Sequence, residues 1–212
     1  MTASARAPPA RSAPAVLVRA RGLLLRCTVT GKQFFDWQTG GGTNDVMRLV
    51  DCLERADLPW CAIGGVAVNH WATEPMVTQD VDFVVAAQDI DRAVTILEQA
   101  GFRAERFDWS VNFKSQSAVS LQLSTEAFYR EFPARAVPAD VHGILLRVAS
   151  LPDTLAGTIK AWSEPARRPS KRLKDLTDIA RLCETHPELW STLPDAVKVH
   201  VPAPDGPGRP RE

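Results

Sequence analysis

The chain has 212 residues, 45% of them hydrophobic, with 25 basic residues set against 25 acidic ones. That length buries one substantial core with room for a small helical addition, and the balanced charge excludes a global basic field that would advertise a nucleic-acid partner. Four cysteines, Cys27, Cys52, Cys61 and Cys183, stand at spacings that fit neither a zinc site nor a disulfide framework, which points to a reducing, cytoplasmic setting.

Residues 1–42 are rich in Ala, Pro and Arg, with six basic residues and no acidic one before Asp36, and read as a disordered or loosely structured arm. Arg19, Arg21 and Arg26 interrupt the apolar run 16–25, which leaves neither a signal-peptide core nor a membrane span. Periodic sequence begins only near Asn44, so the arm reads as an upstream extension, with Met47 an alternative start.

A folded core is expected over residues 43–150. Thr43 or Asn44 caps a helix in which Val46, Leu49, Val50 and Leu53 recur at helical spacing, and Leu58-Pro59 ends it. Residues 60–63 form a short apolar strand. Gly64-Gly65 then opens a helix over 66–71, glycine being the residue that permits a sharp turn and a close approach to the backbone. Residues 81–86, apolar and β-branched, read as a buried strand, and a helix over 90–100 follows, capped by Asp89 and stopped by Gly101. Residues 102–107, 110–114 and 118–123 read as successive antiparallel strands, which makes about five in all. Residues 151–200 turn helical, with Pro152 in a first turn, Leu155, Ile159 and Trp162 on one face, and a second helix over 171–184. The tail 201–212, with four prolines and two glycines, reads as disordered. The fold class is α+β: a mixed β-sheet flanked by helices, with a helical C-terminal part.

The chemistry resides in a glycine pair, a gap of fourteen residues, and Asp80-x-Asp82 at the head of an apolar strand. Side chains two apart on a strand share a face, so the two carboxylates stand side by side. Such charges about 4 Å apart repel by roughly 4 kcal/mol at an effective dielectric near 20, and a divalent cation reverses that sign. Magnesium fits, as a hard ion that takes one or two carboxylates plus phosphate oxygens, with manganese as an alternative. The backbone N–H groups of Gly64 and Gly65, at a strand-to-helix turn, suit the phosphates of an NTP. Together these features suggest metal-assisted transfer of an NMP to an acceptor hydroxyl.

At this point the stretch W-C-A-I-G-G-V-A-V-N-H-W followed by T-Q-D-V-D-F-V-V resembles the signature of the DNA-polymerase-β-like nucleotidyltransferase superfamily, in particular its AbiEii/AbiGii toxin-like branch. The later S-L-P-D-T-L-A-G-T-I-K-A-W and S-K-R-L-K-D-L-T-D-I-A-R-L are similar to that branch's lysine and aspartate motifs, so the likeness spans roughly residues 44–190. The resemblance implies a nucleotidyltransferase-type sheet and a catalytic set of Asp80, Asp82, Lys160, Asp175 and Asp178. Asp80 and Asp82 would hold metal, and Gly64, Gly65, Lys171 and Arg172 would contact the nucleotide. K-D-x-x-D leaves open whether Asp175 or Asp178 is the functional acid. The implied partners are an NTP, an RNA acceptor and a cognate antitoxin, with no membrane.

Two departures stand out. Met76 occupies a place where many relatives carry arginine, and the strand S-V-S-L-Q-L-S offers Gln122 where polymerase-β-type enzymes place a third aspartate. Asp140, in a turn-like context after Pro138, is a weak substitute. These departures motivate a second reading, a non-catalytic nucleotide-binding or interaction protein on the same fold, and a third is a small-molecule nucleotidyltransferase of the antibiotic-modifying kind. Blander readings accompany each residue: Lys160 as a snorkelling surface lysine, Asp175 and Asp178 as helix ion-pair partners, and 167–172 as a solvated basic loop or an RNA guide. His70 and His142 stand alone and read as structural, and Trp60, Trp71 and Trp162 as core.

Overall fold

The computed structural model describes residues 16–20, 23–27, 32–33, 36, 41–76, 78, 80–141 and 143–204. In the arm read as disordered or loosely structured, Val16–Ala20 (β1) and Leu23–Cys27 (β2) pair antiparallel as a separate hairpin. The first helix, Gly42–Arg55 (α1), starts earlier than expected. Gly41, not Thr43 or Asn44, is its cap, in the left-handed region at φ 91°, and the Thr43 backbone N–H donates to Asp36 Oδ1 at 3.0 Å.

There follow Trp60–Ile63 (β3), Gly64–Trp71 (α2), Asp80–Val85 (β4), Ile90–Gln99 (α3), Arg103–Phe107 (β5), Ser110–Lys114 (β6) and Ser120–Ser124 (β7). Then come two strands that the sequence reading missed, Val137–Val141 (β8) and Ile144–Val148 (β9). The C-terminal part holds Leu151–Ser163 (α4), Pro169–Thr185 (α5) and the short Asp195–Lys198 (α6).

The seven strands β3–β9 form one mixed sheet in the order β5-β6-β7-β4-β3-β9-β8. Pairing is parallel for β4–β7 and β3–β9 and antiparallel elsewhere, with Ile63 opposite Asp82 and Asp82 opposite Gln122. Asp140 lies in edge strand β8, not in a turn; its carboxylate accepts the Gly143 N–H at 2.8 Å and takes no part in the cleft below. Pro138 lacks the donor a central strand needs but is tolerated at an edge.

Alternation along β4 decides the architecture. Val81, Phe83 and Val85 join Phe113, Leu121 and Leu123 on the sheet face covered by Val46, Leu49 and Leu53 of α1 and Ala93, Val94 and Leu97 of α3. Asp80, Asp82 and Val84 point the other way, by the period of two. There, Val68 of α2 packs with Leu155 of α4 and Ile179, Leu182 and Cys183 of α5 in a second apolar cluster, which fixes the two C-terminal helices beside the carboxylate pair. Ser150 caps α4, its hydroxyl bonding the Asp153 carboxylate at 2.7 Å. Cys52, Cys61 and Cys183 are free thiols, and burial pushes that of Cys61 up to about 12. Among the described residues no helix is long and apolar enough to cross a membrane.

Candidate active site

One cleft of about 590 Å³ lies between the sheet and the C-terminal helices. It is lined by Gly64, Gly65, Asp80, Asp82, Lys160, Lys171, Asp175 and Asp178, so residues up to 114 positions apart in sequence meet at one place. Arg172, the remaining sequence candidate, is not part of that lining; its Nη2 donates to the Glu164 carbonyl at 2.8 Å.

The glycine turn and the acidic strand interlock. Gly64 sits at φ +61°, and a Cβ there would lie 2.6 Å from Asp82 Oδ2. Any side chain is excluded twice, by backbone conformation and by the carboxylate packed against the turn. A Cβ on Gly65 would meet Thr78 Oγ1 at 3.2 Å and Lys174 Nζ at 3.5 Å, so that lysine hangs directly over the turn.

Asp82 is only partly exposed, and its carboxyl is pushed up to about 6, first by burial and then by the Asp80 charge, against the pull of Lys171, Lys174 and Arg167. Asp80 is more open, with Lys171 Nζ 3.4 Å from its Oδ2. The pair is thus a charge concentration only partly neutralised by the chain's own cations.

On α5 the two aspartates of K-D-x-x-D are both buried and both engaged. Arg167 grips Asp175 in a two-point ion pair, Nε to Oδ2 and Nη2 to Oδ1 each at 2.8 Å. Asp178 takes Lys174 Nζ at 2.6 Å and Arg181 Nη1 at 2.8 Å. Arg181 also reaches Asn69 Oδ1 at 2.9 Å, and Asn69 brackets the backbone of Met76 at 2.7 and 2.9 Å, tying α5 to the loop that delivers β4. Met76 itself lies outside the cleft lining. Lys160 on α4 pairs with Glu126 and stands 3.7 Å from Glu164 Oε2.

Sequence reasoning passed over several lining residues. Lys174 carries a signal in its spacing of four from Asp178, which by itself marks no more than a helix ion pair. Trp109, 70% exposed at the β5–β6 turn, and Tyr129 also line the cleft. Trp109 lies in a hairpin turn, where no periodicity marks it. His70 is a structural histidine, packed edge-on against Trp71 with its pKa lowered by burial, and His142 lies outside the described residues.

The family profile described as the nucleotidyl transferase AbiEii toxin of type IV toxin–antitoxin systems matches residues 67–210. The chain belongs to the AbiEii nucleotidyltransferase family. The match begins just after the glycine pair and takes in both carboxylates and both C-terminal helices. No curated protein sequence matches the chain. Among solved structures, the complex of ANT(2")-Ia with adenylyl-2"-tobramycin is similar over 74% of this chain and 92% of that one, with 17% identity and a TM-score of 0.50. The lincomycin-bound lincosamide adenylyltransferase LnuA is similar over 66% and 96%, with 12% identity and a TM-score of 0.46. Terminal uridylyl transferase 4 from Trypanosoma brucei with bound GTP is similar over 80% and 58%, with 19% identity and a TM-score of 0.35. The first of these shares the nucleotidyltransferase-type fold with this AbiEii chain.

Proposed function

We propose that this AbiEii-family chain transfers an NMP from a magnesium-bound NTP to an acceptor hydroxyl within the cleft. The observation that carries the reading is the packing of Asp82 against the Gly64 turn, with Lys174 over Gly65 and Lys171 3.4 Å from the neighbouring Asp80. Two hard oxygen donors carrying excess negative charge suit a magnesium or manganese ion, with phosphate oxygens and water completing its shell. Bound there, the ion would neutralise the triphosphate and polarise the α-phosphorus.

The chain's own groups do the rest. The N–H groups at the start of α2 receive phosphate oxygens, and Lys174 supplies a point charge above them, held in place by Asp178. Lys171 is shared between Asp80 and the incoming phosphates. Asp175 serves the same end at one remove by orienting Arg167 towards the cleft. On this reading each of the two α5 aspartates positions a cation rather than binding the metal, a role that their ion pairs support. Lys160, paired with Glu126 and near Glu164, lines the same cleft. Arg172 takes no part, its guanidinium being turned to the Glu164 carbonyl.

The acceptor and partner follow the family in this proposal: RNA as acceptor, a cognate antitoxin as partner, and a cytoplasmic setting. The basic segment 167–172 supports RNA less than its composition suggests, since Arg167, Lys171 and Arg172 are drawn inward. The antibiotic-type acceptors named for the similar structures make a hydroxylated small molecule the competing substrate class. Gln122 beside Asp82 favours a second reading, a nucleotide-binding protein without turnover.

Calorimetry separates these. Transfer chemistry predicts NTP binding that requires Mg2+ and is lost in Asp82→Ala, together with label transfer to RNA. Metal-independent NTP binding with no product over hours would favour the non-catalytic reading.

A further inference from the structure

Resting on the nucleotidyltransferase reading, we infer that the site works with a single divalent ion, and that Gln122 fills the second-metal corner with an uncharged amide. The cross-strand register sets Asp82 opposite Gln122, and Gln122 opposite Asn112, so two neutral amides continue the row that begins with a carboxylate. Gln122 lines the cleft, and the β7 residues flanking it on the same face are Ser120 and Ser124. Among the described residues the next acidic side chain in that row is Glu105, opposite Asn112 on β5, two strands beyond Gln122 and paired with Lys114 at 3.5 Å.

The other carboxylates of the cleft are already spoken for. Asp175 is gripped by Arg167 and Asp178 by Lys174 and Arg181. Asp153 is held in a two-point pair by Arg135 at 2.8 and 2.9 Å, and Glu126 and Glu164 share Lys160. Recruiting any of them as a metal ligand would strand a cation, and for the first three would break a buried or half-buried ion pair and leave a charge uncompensated. Consistently, among the described residues no third His, Cys, Asp or Glu joins Asp80 and Asp82 in a cluster able to hold a metal. A second ion would need a carboxylate at position 122. An amide oxygen there can instead accept a hydrogen bond from the acceptor hydroxyl and orient it without binding a cation. Gln122 is therefore a positioning residue.

The test is a manganese titration of the full chain followed by electron paramagnetic resonance, with an NTP analogue whose α,β bridge cannot be cleaved. The wild type is expected to bind one Mn2+ per chain and Gln122→Asp two, with Gln122→Glu as a second variant should the aspartate disturb folding. A merely structural Gln122 would not change this count. Two ions on the wild type, or one on both folded acidic variants, would overturn the inference. Absence of both nucleotide and Mn2+ binding would instead overturn the nucleotidyltransferase reading on which it rests.

Discussion

Replacing Asp82 with Asn tests the electrostatics of the cleft in a direction that sets it apart from ordinary core damage. The Asp82 carboxyl is pushed from 3.8 to about 6. At about 1.4 kcal/mol per pH unit, an ionised Asp82 costs the metal-free fold roughly 3 kcal/mol at neutral pH, an upper bound because the group is partly hydrated. The folded pKa lies above the unfolded one, so the native state holds the proton more tightly, and stability falls as pH rises from about 4 to about 6. Asparagine keeps the shape and removes the charge. Asp82→Asn is therefore expected to be more stable than wild type by roughly 1–3 kcal/mol at pH 7 without metal, a Tm rise of about 2–12 °C, with the gain shrinking as pH is lowered through 6 towards 4. Thermal melts with a chelator at several pH values measure this. Mn2+ plus NTP should offset that advantage, since a ligand at a hundred times its Kd stabilises only the wild type, by about 2.7 kcal/mol. A variant that is less stable than wild type at pH 7 without metal would refute the reasoning, because Asp82 would then be a satisfied ion-pair partner.

Gly64→Ala should cost about 1–2 kcal/mol in denaturant unfolding from the left-handed backbone alone, and should also abolish metal-dependent NTP binding, because the new Cβ displaces Asp82 Oδ2. Lys174→Met should weaken NTP and inorganic tripolyphosphate equally, by about 10- to 100-fold, the worth of one charge-assisted hydrogen bond; calorimetry with both ligands checks this. Trp109→Ala should leave tripolyphosphate binding unchanged while weakening a ring-bearing substrate by roughly 5- to 150-fold, the range of one stacking contact. Competition binding with the two ligand classes would show it.

The parts of the fold legible in sequence are those whose periodicity survives in one segment. The run behind Asp80, the apolar stripe of α1, and the Pro152 and Gly101 boundaries each carry their own signal. Strands β8 and β9 do not. Pro138 and Asp140 interrupt the first, and Leu145, exposed at 77%, blurs the alternation of the second, while pairing at the sheet edge supplies the order that local propensity lacks. The cleft shows the same division. The glycine pair and the two carboxylates announce themselves by spacing, but the grip of Arg167 on Asp175 depends on how the segment before α5 folds back on the helix. Helical spacing pairs Lys174 and Arg181 with Asp178, but no spacing shows that Arg167, which precedes α5, closes on Asp175. The basic run at 167–172 misleads for the same reason: composition suggests an outward patch, and helix packing turns three of its side chains inward.

The central claim is nucleotidyl transfer dependent on Asp80 and Asp82, and parallel incubations with α-labelled and γ-labelled NTPs, Mg2+ and total RNA address it most directly. The account predicts that the α label enters the acceptor, that the γ label leaves as pyrophosphate, and that both events vanish in Asp82→Ala. Transfer of the γ label, no transfer of either, or an undiminished signal in Asp82→Ala would contradict it.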